Sequence, residues 1–358
     1  MTTSRRNFLG AAGASLLLPQ LAACSGFDKV PVAGVPRSGF DADATAEQVT
    51  EGIDLTGKMA VVTGCTSGIG FETMRVLARR GAHVVGTSRS KARAEAACRK
   101  VIGSTMPLQL DLGDFDSVAR CADDIHTVRS PVDLLINNAG YLGGGNERQL
   151  INGVEKHFVI NHLGHFILTN RLMDRLYIAS QGRIVNVASR AAYRRAPADG
   201  IRFDDLGMAR EYTDLLAYGQ SKLANVLFSL QLAELLRGTR ITTNSLHPGV
   251  INTDIDRNLS PVIGFGFGLL TALNGKSIEE GAATTCYVAT SSKLGSVSGR
   301  YFEDCDAVSI ENKGHMQDMD MAEKLLQTSI ELTADWLVEF KEPRKEDFEI
   351  GKRKETAE

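Results

Sequence analysis

The chain has 358 residues, and its 43% hydrophobic and 23% charged residues are ordinary for a globular enzyme rather than for a disordered protein. The formal net charge of -3 provides no basic excess, which argues against a nucleic-acid partner. Seven histidines without clustering predict no metal site.

The amino terminus carries the pattern of an export signal. Residues 4–9 (SRRNFL) form a twin-arginine pattern, and the short apolar stretch at 8–18 is typical of a signal's hydrophobic region. Residues 21–24 (LAAC) resemble a bacterial lipobox, in which Cys24 would be lipidated. We expect export through the twin-arginine route and anchoring that faces the periplasm. The alternatives are an uncleaved anchor, cleavage nearby and an unprocessed cytoplasmic chain.

Composition divides the remainder into a tether, one domain and a tail. Residues 25–44 are rich in Gly, Pro and Asp and predict a tether, whereas 341–358 carry 12 charges and predict a solvated tail. The domain at 45–340 begins with a capping-box pattern at 45–48, which predicts a short helix. The five cysteines after Cys24 show no framework spacing, so we interpret them as buried or incidental free thiols.

A glycine-rich turn follows the first confident strand, which is predicted at 59–63. Residues 64–70 (GCTSGIG) lead into a helical run that continues to residue 80. Such a turn lets backbone N–H groups approach a pyrophosphate at the positive end of the helix. The sequence therefore predicts a dinucleotide-binding site here.

The second predicted strand, 82–87, ends at Ser88 and Arg89. An acidic residue at this place would accept hydrogen bonds from the adenosine ribose 2′-hydroxyl. Ser88 and Arg89 instead leave room and positive charge for a 2′-phosphate. This favours NADP(H), with NAD(H) as the alternative, because an exposed arginine after a strand is also common.

Strands and helices continue to alternate. The strand predicted at 106–110 ends at Asp111, which would accept from an adenine amino group or cap the helix predicted at 114–127. The strand at 132–136 is followed by small residues at 137–140 (NNAG), against which a cofactor could lie. The alternation predicts an α/β fold: a single doubly wound parallel sheet with helices on both faces.

Four polar residues in the second half are candidates for chemistry. A helix predicted around 150–176 holds Asn161 in an apolar run, where its amide needs a partner; we interpret His162 and His165 as structural or surface residues. The strand at 182–188 ends at Ser189, facing the crevice.

The segment 217–228 (AYGQSKLANVLF) has helical periodicity, which places Tyr218 and Lys222 on one face, one turn apart. An ammonium near a phenol lowers the phenol pKa and makes it usable in acid–base catalysis. The spacing alone is a weak motif, because the same pair occurs on many solvated helices.

The last part of the domain is predicted to close the site. A strand at 241–246 leads to 247–253 (HPGVINT), where Pro and Gly fix a turn. Residues 254–275 are apolar and Gly-rich and predict a substrate lid, or alternatively a membrane-facing or dimer patch. A helix near 277–291, a strand at 299–302 and a helix near 318–340 complete the domain.

Over residues 45–335 the chain resembles the short-chain dehydrogenase/reductase superfamily, and within it the retinol dehydrogenase and WW-domain-containing oxidoreductase branch. The carrying motifs are TGCTSGIG (63–70), DL (111–112), NNAG (137–140), NHLGHF (161–166), IVNVAS (184–189), AYGQSKLANVLF (217–228), HPGVINT (247–253), EEGA (279–282) and SGRYFEDC (298–305). Cys65 and Thr66 in the glycine turn, and Ala188 before Ser189, depart from the usual pattern.

The resemblance implies a role for each matching residue. Tyr218 would be the general acid/base, and Lys222 would lower its pKa and hold the nicotinamide ribose. Ser189 would hydrogen-bond the substrate oxygen, and Asn161 would position a water that links Lys222 to solvent. The remaining cofactor contacts would be Gly64, Ser67, Gly68, Ile69 and Gly70 at the pyrophosphate, Ser88 and Arg89 at the 2′-phosphate, Asp111 and Leu112 at the adenine, Asn138, Ala139 and Gly140 at the adenosine, and Pro248, Gly249, Val250 and Thr253 at the carboxamide.

These observations predict an NADP(H)-dependent oxidoreductase that interconverts an alcohol and a carbonyl on an apolar small molecule. The competing hypothesis is an exported dinucleotide-binding lipoprotein with a sensing or structural role and no useful turnover. A homo-oligomer is compatible with either.

Overall fold

The computed structural model describes residues 29–143, 145, 147–249, 275–311 and 314–339. The signal and lipobox predicted at 1–24, the tail predicted at 341–358 and all but the last residue of the lid predicted at 254–275 lie outside the described residues. Within the described ranges, no helix combines the length and apolar character that a membrane crossing requires.

Among the described residues, nine strands form the central sheet. They are β1 (Lys29–Pro31), β2 (Met59–Val62), β3 (His83–Ser88), β4 (Ser104–Gln109), β5 (Leu134–Asn137), β8 (Gly182–Val187), β9 (Ile241–His247), β10 (Tyr301–Glu303) and β11 (Asp306–Ile310), while β6 (Leu150–Ile151) and β7 (Val154–Glu155) form a separate hairpin. The sheet order is β1-β11-β10-β9-β8-β5-β2-β3-β4. The seven strands from β10 to β4 are parallel, and the chain reverses its direction of winding between β2 and β5.

Helices cover both faces of this sheet. They are α1 (Ala46–Val49), α2 (Gly68–Arg79), α3 (Lys91–Cys98), α4 (Phe115–His126), α5 (Lys156–Phe158), a π-helical turn (Val159–Leu163), α6 (Gly164–Arg171), α7 (Met173–Tyr177), α8 (Ala191–Arg194), α9 (Asp214–Leu235), α10 (Ile278–Thr290) and α11 (Met319–Thr333), with 3₁₀ turns at Phe203–Asp205, Ser292–Leu294, Gly314–Gln317 and Ala334–Trp336. The predicted capping box is present at the start of α1, where Thr45 accepts from the backbone of Gln48.

Side chains of the central strands are buried on both faces, as the continuous apolar runs predict. Val61 and Leu135 point into one apolar layer beneath α4, α6, α9 and α11. Val62 and Ile136 point into a second layer beneath α1, α2 and α10. The predicted α/β fold with a doubly wound sheet is confirmed.

One edge of the sheet differs from the predicted all-parallel arrangement. β11 pairs antiparallel with β10, and β1 pairs antiparallel with β11, with Lys29 opposite Ile310. β1 comes from the stretch that was predicted to be a tether. Its three exposed residues show no alternation, so the pairing depends on a partner about 280 positions away that local pattern cannot indicate.

The predicted helix around 150–176 is wrong in its first turn and a half. Residues 150–155 form the β6–β7 hairpin, and helical structure starts only at Lys156, after Glu155 caps it through the backbone N–H groups of His157 and Phe158. Asn152 and Gly153 both have positive φ, of 51° and 82°. An Asn-Gly pair with these angles makes a type I′ hairpin turn, so the signal was present in the sequence.

Candidate active site

The candidate site lies at the carboxyl ends of β2, β5, β8 and β9, where the winding reverses and a crevice forms in doubly wound sheets. Helix α9, whose first turn is capped by Thr213, carries Tyr218 and Lys222 across this edge. The ammonium of Lys222 lies 5.6 Å from the centre of the Tyr218 ring and donates to the carbonyl of Val187 at 2.8 Å. The two side chains therefore meet as the helical spacing predicts.

Lys222 is 2% exposed although its side chain is cationic in water. Burial lowers its pKa to about 7, from an ordinary value of 10.5. A buried amine that titrates near neutrality, beside a phenol, is characteristic of a functional site rather than of a surface ion pair.

Asn161 lies in the π-helical turn, and its side chain joins two parts of the site. Its amide oxygen accepts from the backbone N–H of Tyr141 at 2.7 Å, and Nδ2 donates to the carbonyl of Tyr141 and to Ser221 Oγ. Ser221 in turn donates to the carbonyl of Tyr218. The amide therefore ties the loop after β5 to α9. Its implied task of positioning a water beside Lys222 stays a prediction.

Ser189 lies two residues after the end of β8 and is half-buried. Its Oγ accepts from the backbone N–H of Ala191 at 3.2 Å. Because that bond uses a lone pair, the hydroxyl proton can still be donated to an oxygen in the crevice.

The glycine turn is shaped for close backbone approach. Gly64 has a φ of 73°, and a Cβ there would lie 3.0 Å from Ala139. A Cβ on Gly70 would collide with the carbonyl oxygen of Gly64 and with the amide of Asn138. Ser67 precedes α2 without a side-chain cap, so backbone N–H groups at this helix start are not satisfied by it. These features fit a dinucleotide pyrophosphate.

Thr63 and His165 support the candidate site through a hydrogen-bonded junction that the sequence analysis did not predict. Thr63 Oγ1 accepts from the backbone N–H groups of Asn138 and Ala139, both at 2.9 Å, and Asn138 Nδ2 donates to the Thr63 carbonyl. His165 Nε2 lies 2.9 Å from the same hydroxyl. His162 and His165 are both fully buried, which agrees with a structural role and excludes a surface one.

The residues predicted to contact the adenosine part of the cofactor are partly buried and partly exposed. Ser88 is buried at the end of β3, and Arg89 is exposed beside it. Asp111 Oδ1 accepts from the backbone of Gly113, whereas Asp114 caps α4, so the interpretation of Asp111 as the helix cap is wrong. The structure places Leu112 against Gly164, where a Cβ would come 2.8 Å from the leucine Cβ.

The predicted carboxamide end is only partly described. Pro248 follows β9, and Gly249 has a φ of 105° with Lys276 beside it. Val250 and Thr253 lie outside the described residues.

Cys65 lies beneath the glycine turn and is fully buried. A hydrogen bond with Cys98 and burial both raise the pKa of its thiol. A buried thiol is poorly reactive, so Cys65 does not make the glycine turn sensitive to oxidation. The five cysteines at 65, 98, 121, 286 and 305 are free thiols, as predicted.

A cavity of about 710 Å³ lies at the opposite edge of the sheet. It is lined by Gln181, Arg237, Ile241 and Arg300 near the amino ends of β8 and β9. It contacts none of the candidate catalytic residues, and the crevice rule for doubly wound sheets favours the carboxyl edge.

A doubly wound sheet, a glycine turn before α2 and a Tyr–Lys pair on α9 together define a dinucleotide-dependent oxidoreductase. Comparison with known proteins supports this class. The short chain dehydrogenase family description matches residues 58–200. "Short-chain dehydrogenase TIC 32 A, chloroplastic" of Brassica napus is 40% identical over 312 residues, spanning 83% of this chain and 95% of that protein. "Retinol dehydrogenase 12" of Mus musculus is 37% identical over 288 residues, spanning 79% and 88%.

Solved structures show the same architecture. A crystal structure of an uncharacterised protein from Mycobacterium paratuberculosis has a TM-score of 0.64 and 31% identity, covering 80% of this chain and 97% of that one. Two more distant structures share the fold: one from Beutenbergia cavernae with NADP (TM-score 0.55, 24% identity, 70% and 95% covered) and one from Brucella melitensis with NADH (0.55, 22%, 70% and 97%). The chain belongs to the short-chain dehydrogenase/reductase family and is an oxidoreductase of that family.

Proposed function

We propose that this oxidoreductase uses NADP(H) to interconvert an alcohol and a carbonyl on an apolar small molecule. The observation that carries the proposal is the buried Lys222 ammonium beside the Tyr218 ring, at the end of the strand that leads to Ser189.

Tyr218 is the proton donor and acceptor in this proposal. In its charged form, Lys222 favours the phenolate and so lowers the Tyr218 pKa toward neutrality. The phenolic oxygen then gives a proton to the substrate oxygen in reduction and takes it back in oxidation. Ser189 donates a hydrogen bond to the same substrate oxygen and stabilises the charge that develops on it.

Bound NADP(H) would supply or accept the hydride. The glycine turn and the start of α2 would hold its pyrophosphate, and Arg89 would meet its 2′-phosphate. Arg89 supports the preference for NADP(H) because it is exposed and forms no ion pair among the described residues, which leaves its charge available. Asn138 and Ala139, whose backbones are held by Thr63, would flank the adenosine.

The proposal includes location. Export by the twin-arginine signal and lipidation of Cys24 would leave four residues between the anchor and Lys29, so that the two Cα atoms would lie at most about 18 Å apart. That length would keep the β1 edge of the domain close to the membrane, where an apolar substrate is concentrated. We retain the domain at 45–340 as the catalytic unit, preceded by the edge strand β1.

Replacement of Tyr218 by Phe tests the proposal. Removing the hydroxyl should lower turnover at least 100-fold while NADPH binding stays within a few-fold, because proton transfer by a placed side chain is worth about 10²–10⁴. Tyr287→Phe, the same change in the apolar layer on the other side of the sheet, is the matched control. Bound NADPH without turnover in the unmodified protein would favour the sensing or structural lipoprotein instead.

A further inference from the structure

We infer that Glu303 is a positioning residue that holds the Ser189 segment through Arg190, and that Lys29 of the amino-terminal edge strand completes this support. The inference rests on the role proposed for Ser189.

Glu303 is a buried carboxylate at the carboxyl end of β10. Its side chain is 1% exposed, and one of its oxygens accepts from both Nε and Nη2 of Arg190, at 2.9 and 2.8 Å. The other oxygen accepts from the hydroxyl groups of Tyr193 and Tyr301, at 3.0 and 3.2 Å. Burial favours the neutral acid, yet the neighbouring His247, Arg190 and Lys29 lower the pKa of Glu303 to about 2. The carboxylate is therefore charged, and both of its oxygens accept hydrogen bonds.

These bonds fix the short helix that follows Ser189. Arg190 precedes α8 and Tyr193 lies within it, so the Glu303 carboxylate hydrogen-bonds to α8 at two positions. Ser189 Oγ accepts from Ala191 N–H in the same turn. Ser189, Arg190 and Tyr193 therefore move as one unit. Breaking the contact between Arg190 and Glu303 displaces the Ser189 hydroxyl that faces the crevice.

Lys29 brings the amino-terminal strand into this cluster. Its ammonium pairs with Glu303, and it lies 3.7 Å from Asp304, which is itself held by Lys276 at 2.7 Å. Lys29 can reach Glu303 because β1 forms the last strand of the sheet beside β11. The segment that directly follows the predicted signal thus supports the loop that carries Ser189.

Steady-state kinetics on the full chain tests the inference. Glu303→Gln should lower kcat at least tenfold with the KM for NADPH within twofold, because a misplaced hydroxyl affects the reaction more than cofactor binding. Lys29→Met, a change at a side chain that is 32% exposed, should lower kcat about threefold. Arg37→Met removes another amino-terminal ion pair, with Asp306 at 2.9 Å, and should leave kcat unchanged.

A double-mutant comparison separates positioning from general damage. If Glu303 acts through Ser189, Glu303→Gln should have little further effect on kcat in a Ser189→Ala background. An equal loss in both backgrounds would overturn the inference. Arg190→Lys should retain less activity than the unmodified protein but more than Arg190→Met, because lysine keeps the charge and loses the planar fork.

A readout that does not depend on turnover keeps this inference distinct from the proposed function. Hydrogen exchange at the amides of α8 should accelerate in Lys29→Met and Glu303→Gln and stay unchanged in Arg37→Met. If Ser189→Ala leaves kcat unchanged, the proposed catalytic role fails, and faster exchange would still establish the support of α8. Unchanged exchange in both variants would refute it.

Discussion

The hydroxyl of Thr63 lies 2.9 Å from Nε2 of His165, and the direction of this hydrogen bond is fixed by its surroundings. His165 Nδ1 lies 3.1 Å from the carbonyl oxygen of Asn161 and so must donate to it. Burial lowers the His165 pKa to about 4, which leaves Nε2 as an acceptor for the Thr63 proton. The lone pairs of Thr63 remain available for the two N–H groups of Asn138 and Ala139.

Replacement of Thr63 by Val should remove this junction. The backbone N–H of Ala139 and one imidazole nitrogen would lose their hydrogen-bond partner, while the N–H of Asn138 would keep only the carbonyl of Ile136, at a cost of about 2–4 kcal/mol in the free energy of unfolding. NADPH binding should weaken at least fivefold, because the backbone N–H of Ala139 would no longer be anchored to the Thr63 hydroxyl. Urea unfolding and the fluorescence of bound NADPH measure the two effects.

Thr243→Val is the matched control. Thr243 is a fully buried strand residue, and its hydroxyl has no hydrogen-bond partner in the part of the chain that the structure describes. Replacing Thr243 by Val should lower the free energy of unfolding by less than about 1 kcal/mol. Similar losses in the two variants would contradict the assigned network.

Tyr218 and Lys222 could be predicted to meet because one helix carries both, and helical periodicity is visible in a single stretch of sequence. Thr63 and His165 are 102 positions apart on different elements, so no local pattern joins them. Arg190 and Glu303 are 113 positions apart, and their contact depends on the neighbouring positions of β8, β9 and β10 in the sheet. Local chemistry was therefore predictable, whereas the supports of the site were not.

Gly70→Ala should disrupt the glycine turn. The added Cβ would strike the carbonyl oxygen of Gly64 and the Asn138 amide, and backbone on one side cannot yield cheaply. We expect NADPH affinity to fall at least tenfold and the melting temperature to fall by several degrees. Gly145→Ala, at an exposed position where a Cβ would meet nothing within 4 Å, should change neither quantity. Retained affinity in Gly70→Ala would exclude the proposed cradle.

Arg89→Ala tests cofactor preference. Losing a charge that meets the 2′-phosphate should weaken NADPH binding about tenfold and leave NADH binding within twofold. Arg93→Ala, at another exposed arginine on the following helix, should affect neither. Titration calorimetry with the two nucleotides gives the ratio directly, and parallel losses for both would refute the role of Arg89.

Three buried histidines should make the fold sensitive to acid. Burial lowers the pKa of His162 and His247 to about 3, and that of His165 to about 4. The unfolded chain binds these protons near pH 6.5, so stability from the neutral rings is complete above that pH and is lost as pH falls toward the folded values. Within this window, each histidine adds about 1.4 kcal/mol per pH unit to the loss of stability.

Urea unfolding at pH 7, 5.5 and 4.5 measures this loss. His162→Phe keeps an aromatic ring among Phe158, Phe166 and Phe228 and removes one titrating group. As the pH is lowered, the unfolding free energy of this variant should therefore fall less steeply than that of the unmodified protein. The difference in slope should be about 1.4 kcal/mol per pH unit, which corresponds to one proton. Identical slopes in the two proteins would show that His162 does not carry the effect.

Lys222 should cost stability while it supports catalysis. Its pKa is about 7 in the folded chain and 10.5 ordinarily, so between these values the unfolded chain binds the proton and the folded chain does not. The sign is the reverse of that for a paired lysine: unfolding takes up a proton, and stability rises with pH across this window. The penalty is largest below pH 7 and disappears above about pH 10.5.

Lys222→Met removes both the penalty and the activity. The variant should lose at least 100-fold in turnover and gain stability, by roughly 3 kcal/mol more at pH 6 than at pH 9. Asn225 Nδ2, at 3.4 Å, can still serve the Val187 carbonyl that Lys222 leaves. Chemical unfolding at the two pH values measures the gain. A variant that is less stable than the unmodified protein at both would show that the buried amine strengthens the fold, and the pKa argument would then be wrong.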